Sequence, residues 1–82
     1  MSKILLKNDP NMFVLFEDER GRALMTVTVG GVAMSDVTVQ LTGDEARELA
    51  ADEDKAVELA RQIATRTSVF EERRLRPAVL PR

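Results

Sequence analysis

The sequence predicts an α+β domain: an antiparallel β-meander of three to four strands over about residues 3–41, followed by two or three C-terminal helices packed on one face of the sheet. Three observations predict it. Apolar, β-favouring runs separated by turn residues fill the first half, a capping sequence at Thr42–Glu45 opens a helical second half, and Pro77 and Pro81 end the regular structure.

The first strand is expected from Lys3 to Lys7, closed by Asn8, Asp9 and Pro10. Met12 to Phe16 is a continuous apolar run, too short for a helix, and reads as a central strand covered on both faces. The charged stretch Glu17 to Arg22, with Gly21 inside it, is a surface hairpin loop. From Ala23 to Val29 the pattern alternates, with Met25, Val27 and Val29 on one face and Leu24, Thr26 and Thr28 on the other. Gly30-Gly31 fits a two-residue turn that pairs Val29 with Val32 and Val27 with Met34. The apolar parity then flips toward Val37, Val39 and Leu41. A bulge at Ser35 or Asp36 repairs it by setting Met25 opposite Val37 and Ala23 opposite Val39; a wide loop from Gly30 to Asp36 is the rival.

Thr42-Gly43-Asp44-Glu45 matches a capping box, with Leu41 and Ala46 placed as a hydrophobic staple. The stripe Ala46, Leu49 and Ala50 is interrupted at Asp52-Glu53-Asp54, so Asp52 is expected to cap a second helix from about Glu53 to Thr65. The apolar face of that helix is Ala56, Leu59, Ala60 and Ile63, with Val57 and Ala64 beside it. Ser68 and Glu71 fit a further capping box, predicting a short final helix to about Arg76 anchored by Phe70 and Leu75. The inward set is Phe13, Leu15, Met25, Val27, Val37, Val39, Leu49, Ala60 and Ile63. Residues 1–76 form one domain, and 77–82 an extended or disordered tail.

Composition narrows the function classes. The 82 residues include no His, Cys, Trp or Tyr, which removes most side chains that shuttle protons or act as nucleophiles near neutral pH, along with disulfides and Cys/His zinc sites. The serines have no histidine base, and the glycines form no phosphate loop. Asp52-Glu53-Asp54 offers oxygen ligands, but acids gather at helix starts for dipole reasons, and no EF-hand ladder is present. We therefore expect no enzyme, and assign no catalytic, cofactor-binding or metal residue. Ile4, Leu5 and Leu6 are the whole N-terminal apolar run, too short for a signal sequence or membrane span, and the chain reads as cytoplasmic.

Charge is uneven although the net is only −2. Asp36 to Glu58 holds eight acids against Arg47 and Lys55, whereas the segment from Arg66 onward holds five arginines against Glu71 and Glu72. The expected role is a non-catalytic protein–protein interaction module that binds a protein partner or a second copy as a homodimer, with Arg73, Arg74, Arg76, Phe70 and Leu75 as partner-binding residues. The homodimer expectation rests on the two-faced Phe13–Phe16 run, for which the helices supply only one cover. One alternative is weak, non-specific nucleic-acid binding through the C-terminal arginines, against which stand the net negative charge and the lack of a stacking platform. Another is a toxin-immunity-like binding protein, an analogy at the level of fold alone, since small bacterial proteins of that kind also run strands into helices.

Overall fold

The computed structural model describes residues 2–30 and 35–81. Strands β1 (Lys3–Asn8), β2 (Phe13–Glu17), β3 (Ala23–Val29), β4 (Ser35–Leu41) and β5 (Arg74–Leu75) lie in chain order in one antiparallel sheet. Helices α1 (Gly43–Ala51) and α2 (Glu53–Thr65) and a 3₁₀ segment (Thr67–Arg73) stand between β4 and β5. The α+β meander is present, with a fifth strand that arrives only after the helices.

The alternation of side chains builds two unequal faces. On the helix-covered face, Phe13 pairs with Val27 and Leu15 with Met25, and these join Val37, Val39, Leu41, Leu49, Ala56, Ala60 and Ile63 in the main core. Every residue of the expected inward set is buried there. On the second face Val14 pairs with Thr26 and Phe16 with Leu24, so the apolar run of β2 serves both sides. A register shift between Ile4 and Leu6 places Ile4 beside Phe16 but Leu6 beside Leu15. That bulge, with Lys3 and Lys7, discourages further pairing along the outer edge of β1.

The loops are held by side chains. Asp18 organises the β2–β3 hairpin: its Oδ1 accepts from the amides of Arg20 (3.0 Å) and Arg22 (2.8 Å), and its Oδ2 from Arg22 Nε (2.7 Å). Gly21, at φ +80°, supplies the left-handed residue of this turn. Burial alone would raise the Asp18 carboxyl, but the Arg22 and Arg20 hydrogen bonds and the guanidinium charge outweigh it and hold it below the ordinary carboxylate value.

The β3–β4 register corrects one expectation. Val27 faces Val37, Met25 faces Val39 and Ala23 faces Leu41, two residues along from the predicted pairing, with no bulge at Ser35 or Asp36. Ser35 and Asp36 pair with Val29 and Thr28 as strand residues, so a loop reaching to Asp36 is not formed either. The Gly30-Gly31 turn and its partners Val32 and Met34 fall in a stretch whose residues 31–34 lie outside the described residues. A two-residue slip keeps every side chain on its own face, which is why the facing set survives although the partners change.

The Thr42 capping box forms in both directions, and Asp52 ends α1 while its side chain accepts from the Lys55 amide at the start of α2. Ala64, expected on the apolar face of α2, is exposed. The Ser68–Glu71 box does not form, and the final α-helix is replaced by the 3₁₀ segment, whose cap position is Arg66, without a side-chain bond. Thr67 Oγ1 donates to Ile63 O (2.7 Å) and the Val69 amide to Arg66 O (3.0 Å), tightening the chain into i→i−3 turns that bury Phe70. The open edge of β4 then captures Arg74 and Leu75 as β5, so Leu75 is a strand residue rather than a helical anchor.

Candidate functional site

The five residues singled out in the sequence lie along the 3₁₀ segment and β5, with Arg76 directly after, and most are engaged within the chain. Phe70 is buried in the core cluster, and Leu75, in β5, is half-buried opposite Thr38. Arg73 donates through Nε to Gln40 O (3.1 Å) and pairs through its guanidinium with Glu45. Arg74 Nη1 lies 3.7 Å from Glu71, and its Nε is buried and, among the described residues, unpartnered. Arg76 binds the same Glu71 through both carboxylate oxygens. The hydrogen bond from the Thr42 amide, reinforced by Arg73 against partial burial, holds the Glu45 carboxyl below its ordinary value. Arg73, Arg74 and Arg76 are thus each set beside an acid, Glu45 or Glu71, while the Arg76 side chain stays 63% exposed.

A different arrangement appears on the second face of the sheet. Thr26 and Thr38 are neighbours across β3 and β4, 3% and 0% exposed, with their hydroxyls 2.7 Å apart. The C-terminal segment 76–81 bends at Arg76 and Pro77 and crosses this face, and Val79 sits over the pair. Its amide donates to Thr38 Oγ1 (2.8 Å), and its carbonyl accepts from Thr26 Oγ1 (2.5 Å). Each hydroxyl has one proton, and the three shortest contacts are satisfied together when the set closes as a ring: Val79 N–H to Thr38, Thr38 O–H to Thr26, Thr26 O–H back to Val79 O, with Thr38 Oγ1 also 3.2 Å from Val79 O. Such closed chains reinforce one another in a buried, low-dielectric setting. The ring reads only backbone, so it grips a segment without specifying its side chain.

The flanking prolines suit this placement. Pro77 and Pro81 have no amide proton to leave unpaired, so the segment lies across the sheet rather than joining its edge. The same face carries Phe16 and Leu24, both fully buried, and, toward the other end of β3, the hydrogen-bonded pair Thr28 and Asp36 (2.8 Å). A groove of about 490 Å³ opens on one side of the segment, between Leu75–Leu80, Ser2 and the Asp18–Arg22 hairpin. Another of about 270 Å³ opens beyond Leu80, lined by Met12, Phe13, Val14, Thr28 and Lys7 among others.

Sequence reasoning missed Thr26, Thr38 and Val79. Thr26 lies on the face away from Met25, as the alternation of β3 predicts. Two threonines directly opposite each other on adjacent strands are a usable signal, but it needs the β3–β4 register, which the two-residue slip had misplaced. The acidic triplet Asp52–Asp54 is spent on starting α2, with Glu53 Oε2 accepting from Asn8 Nδ2 (3.0 Å). Among the described residues no group of three or more acidic side chains converges on one point, and no helix is long and apolar enough to cross a membrane. Comparison with protein-family models, with curated proteins and with solved structures finds no match for this chain.

Proposed function

We propose that this protein is a non-catalytic, cytoplasmic protein–protein interaction module that engages an extended segment across the second face of its sheet. The observation that carries the reading is the Thr26–Thr38 ring around Val79, a buried polar clasp for a peptide backbone beside the buried Phe16 and Leu24. An ordinary core would fill those two central positions with Val or Ile, since an isolated buried hydroxyl costs stability unless it is paired. Here both hydroxyls find their partners in a segment remote in sequence. With no His or Cys in the chain, the two hydroxyls have no imidazole base and no thiol beside them, and they serve recognition rather than nucleophilic chemistry. The partner is a protein, or a second copy that presents the same tail.

The test combines sedimentation velocity from low micromolar to near-millimolar concentration with affinity capture from the source cell. In the capture, bound protein is eluted by a synthetic peptide corresponding to residues 74–81. The expected result is a polypeptide, or a second copy, released by that peptide. A strictly monomeric protein from which the peptide releases nothing refutes the proposal.

A further inference from the structure

We infer that residues 76–81 are a displaceable strap lying in a peptide-binding trough, and that the trough accepts from a partner protein an extended apolar segment with a branched residue between prolines. This deepens the interaction reading above and rests on it.

Three features separate a strap from a permanent part of the core. First, its grip on the sheet is concentrated at one residue, the other described polar contact being the exposed Arg76–Glu71 pair at its start. Val79 makes the described hydrogen bonds to the sheet and is only half-buried, while Pro77 and Ala78 are exposed and Leu80 is 53% exposed. A segment with so little buried apolar surface opens locally at far lower cost than the sheet beneath it. Second, the recognition is addressed to backbone N–H and C=O, which any extended segment carries, so the clasp is not specific to this chain. Third, the trough is larger than its occupant, because a groove of about 270 Å³ continues it beyond Leu80 past Met12, Val14 and Thr28, while a groove of about 490 Å³ with a largely polar lining runs along the flank of the strap toward the Asp18–Arg22 hairpin.

The spare room also chooses between occupants. The tail of a second copy would bring the same small Ala78 and the same outward Leu80, and would fill the trough no better than the chain's own tail does in place. A foreign segment with bulkier apolar residues beside the clasped one would reach the surface of Met12, Val14 and Thr28 that Leu80 only borders. The central residue must keep its amide proton, because Thr38 Oγ1 accepts it, whereas residues two positions away on either side need none, as Pro77 and Pro81 show. The strap competes in cis at an effective concentration on the order of millimolar. It therefore sets a threshold that a partner must exceed and keeps Phe16 and Leu24 covered when no partner is present.

Two measurements on the full chain decide this. In native-state hydrogen exchange of the wild type, the Val79 amide is expected to exchange at least about 100-fold faster than those of Met25 and Val39, reporting release without global unfolding. In NMR titrations with the synthetic peptide of residues 74–81, Val79→Pro removes the donor from the strap. That variant is expected to show saturable shifts at Thr26 and Thr38 at a peptide concentration at least about 10-fold lower than the wild type. The same peptide N-methylated at its valine is expected to bind at least about 10-fold more weakly, since the ring cannot close. Equal protection of Val79, Met25 and Val39 overturns the inference, as does the absence of saturable shifts in both proteins. Should Val79→Pro fail to fold, the wild type carries the test through exchange and through titration to millimolar peptide. Failure here removes the displaceable strap, whereas the second face as an interaction surface fails only on its own capture and sedimentation test.

Discussion

Replacing Thr38 by valine tests the clasp most directly, because the shape is retained and only the hydroxyl is lost. Thr38 is fully buried and occupies the middle of the ring, accepting from the Val79 amide and donating to Thr26. Without it the Val79 N–H has no acceptor at this site, and the penalty of an unsatisfied buried donor is about 1–3 kcal/mol. Release of the strap into water caps that loss. Thr26→Val differs in one respect: Thr38 Oγ1 stands 3.2 Å from Val79 O and can redirect its proton to that carbonyl. Its cost is therefore that of one ordinary hydrogen bond, about 0.5–1.5 kcal/mol. The double variant, which leaves no orphaned hydroxyl, should cost less than the sum of the singles by roughly 0.5–1 kcal/mol. Urea denaturation of the four proteins gives the cycle, and each kcal/mol corresponds to about 4–8 °C in Tm for a domain of this size. Equal losses from the two single variants, or strict additivity, would show that no such ring holds the segment.

Other expectations are simpler. Ile63→Ala, which empties a fully buried site between α2 and the sheet, should cost about 2–5 kcal/mol by urea denaturation. Gly21→Ala should destabilise by about 1–2 kcal/mol because of its left-handed backbone, whereas Gly43→Ala, with no neighbour within 4 Å and no positive φ, should stabilise by about 0.4–1 kcal/mol. Both Asp18 and Glu45 have carboxyls lowered on folding, so the stability they add is complete above their unfolded values of about 3.9 and 4.3 and is lost as pH falls through the lower folded values. The urea midpoint should accordingly drop more steeply below about pH 4 in the wild type than in Asp18→Asn or Glu45→Gln. Finally, anisotropy titration with DNA or RNA at about 50 mM salt should show no saturable binding at tens of micromolar protein, because Arg73 and Arg76 already pair with Glu45 and Glu71. Binding that weakens steeply with salt would show those pairs to be expendable.

What the sequence discloses here is what is encoded within a few residues. The Thr42 capping box and the Asp52 break are local: a side chain and an amide three positions away decide them, and both form as read. The inward set follows from period-two and period-3.6 repetition, which is insensitive to register, so Val27 and Val39 share a face even though their partners differ from those expected. The failures are non-local. Ser68 and Glu71 have the local pattern of a helix start, yet burying Phe70 and returning to the edge of β4 require a tighter turn. A strand of two residues carries no periodicity, so β5 has no signature in the sequence. The clasp joins residues 41 and 53 positions apart, and only their meeting gives Thr26, Thr38 and Val79 a shared role.

The apolar run of β2 posed a question that the fold answers from within the chain. Phe13 and Leu15 meet the helices, while Phe16 faces the other way and still has no exposed surface. A second cover was required, and the length of chain left after the helices supplies it by first extending the sheet through β5 and then crossing its open face. The same return path brings Arg73 to Glu45 at the start of α1, so the acidic and basic stretches that look like opposite poles in the sequence meet at one end of the helix layer. Charge asymmetry along a chain becomes a steering field only if the fold keeps the poles apart. In this protein the fold brings Arg73 onto Glu45, so part of that asymmetry is neutralised within the chain.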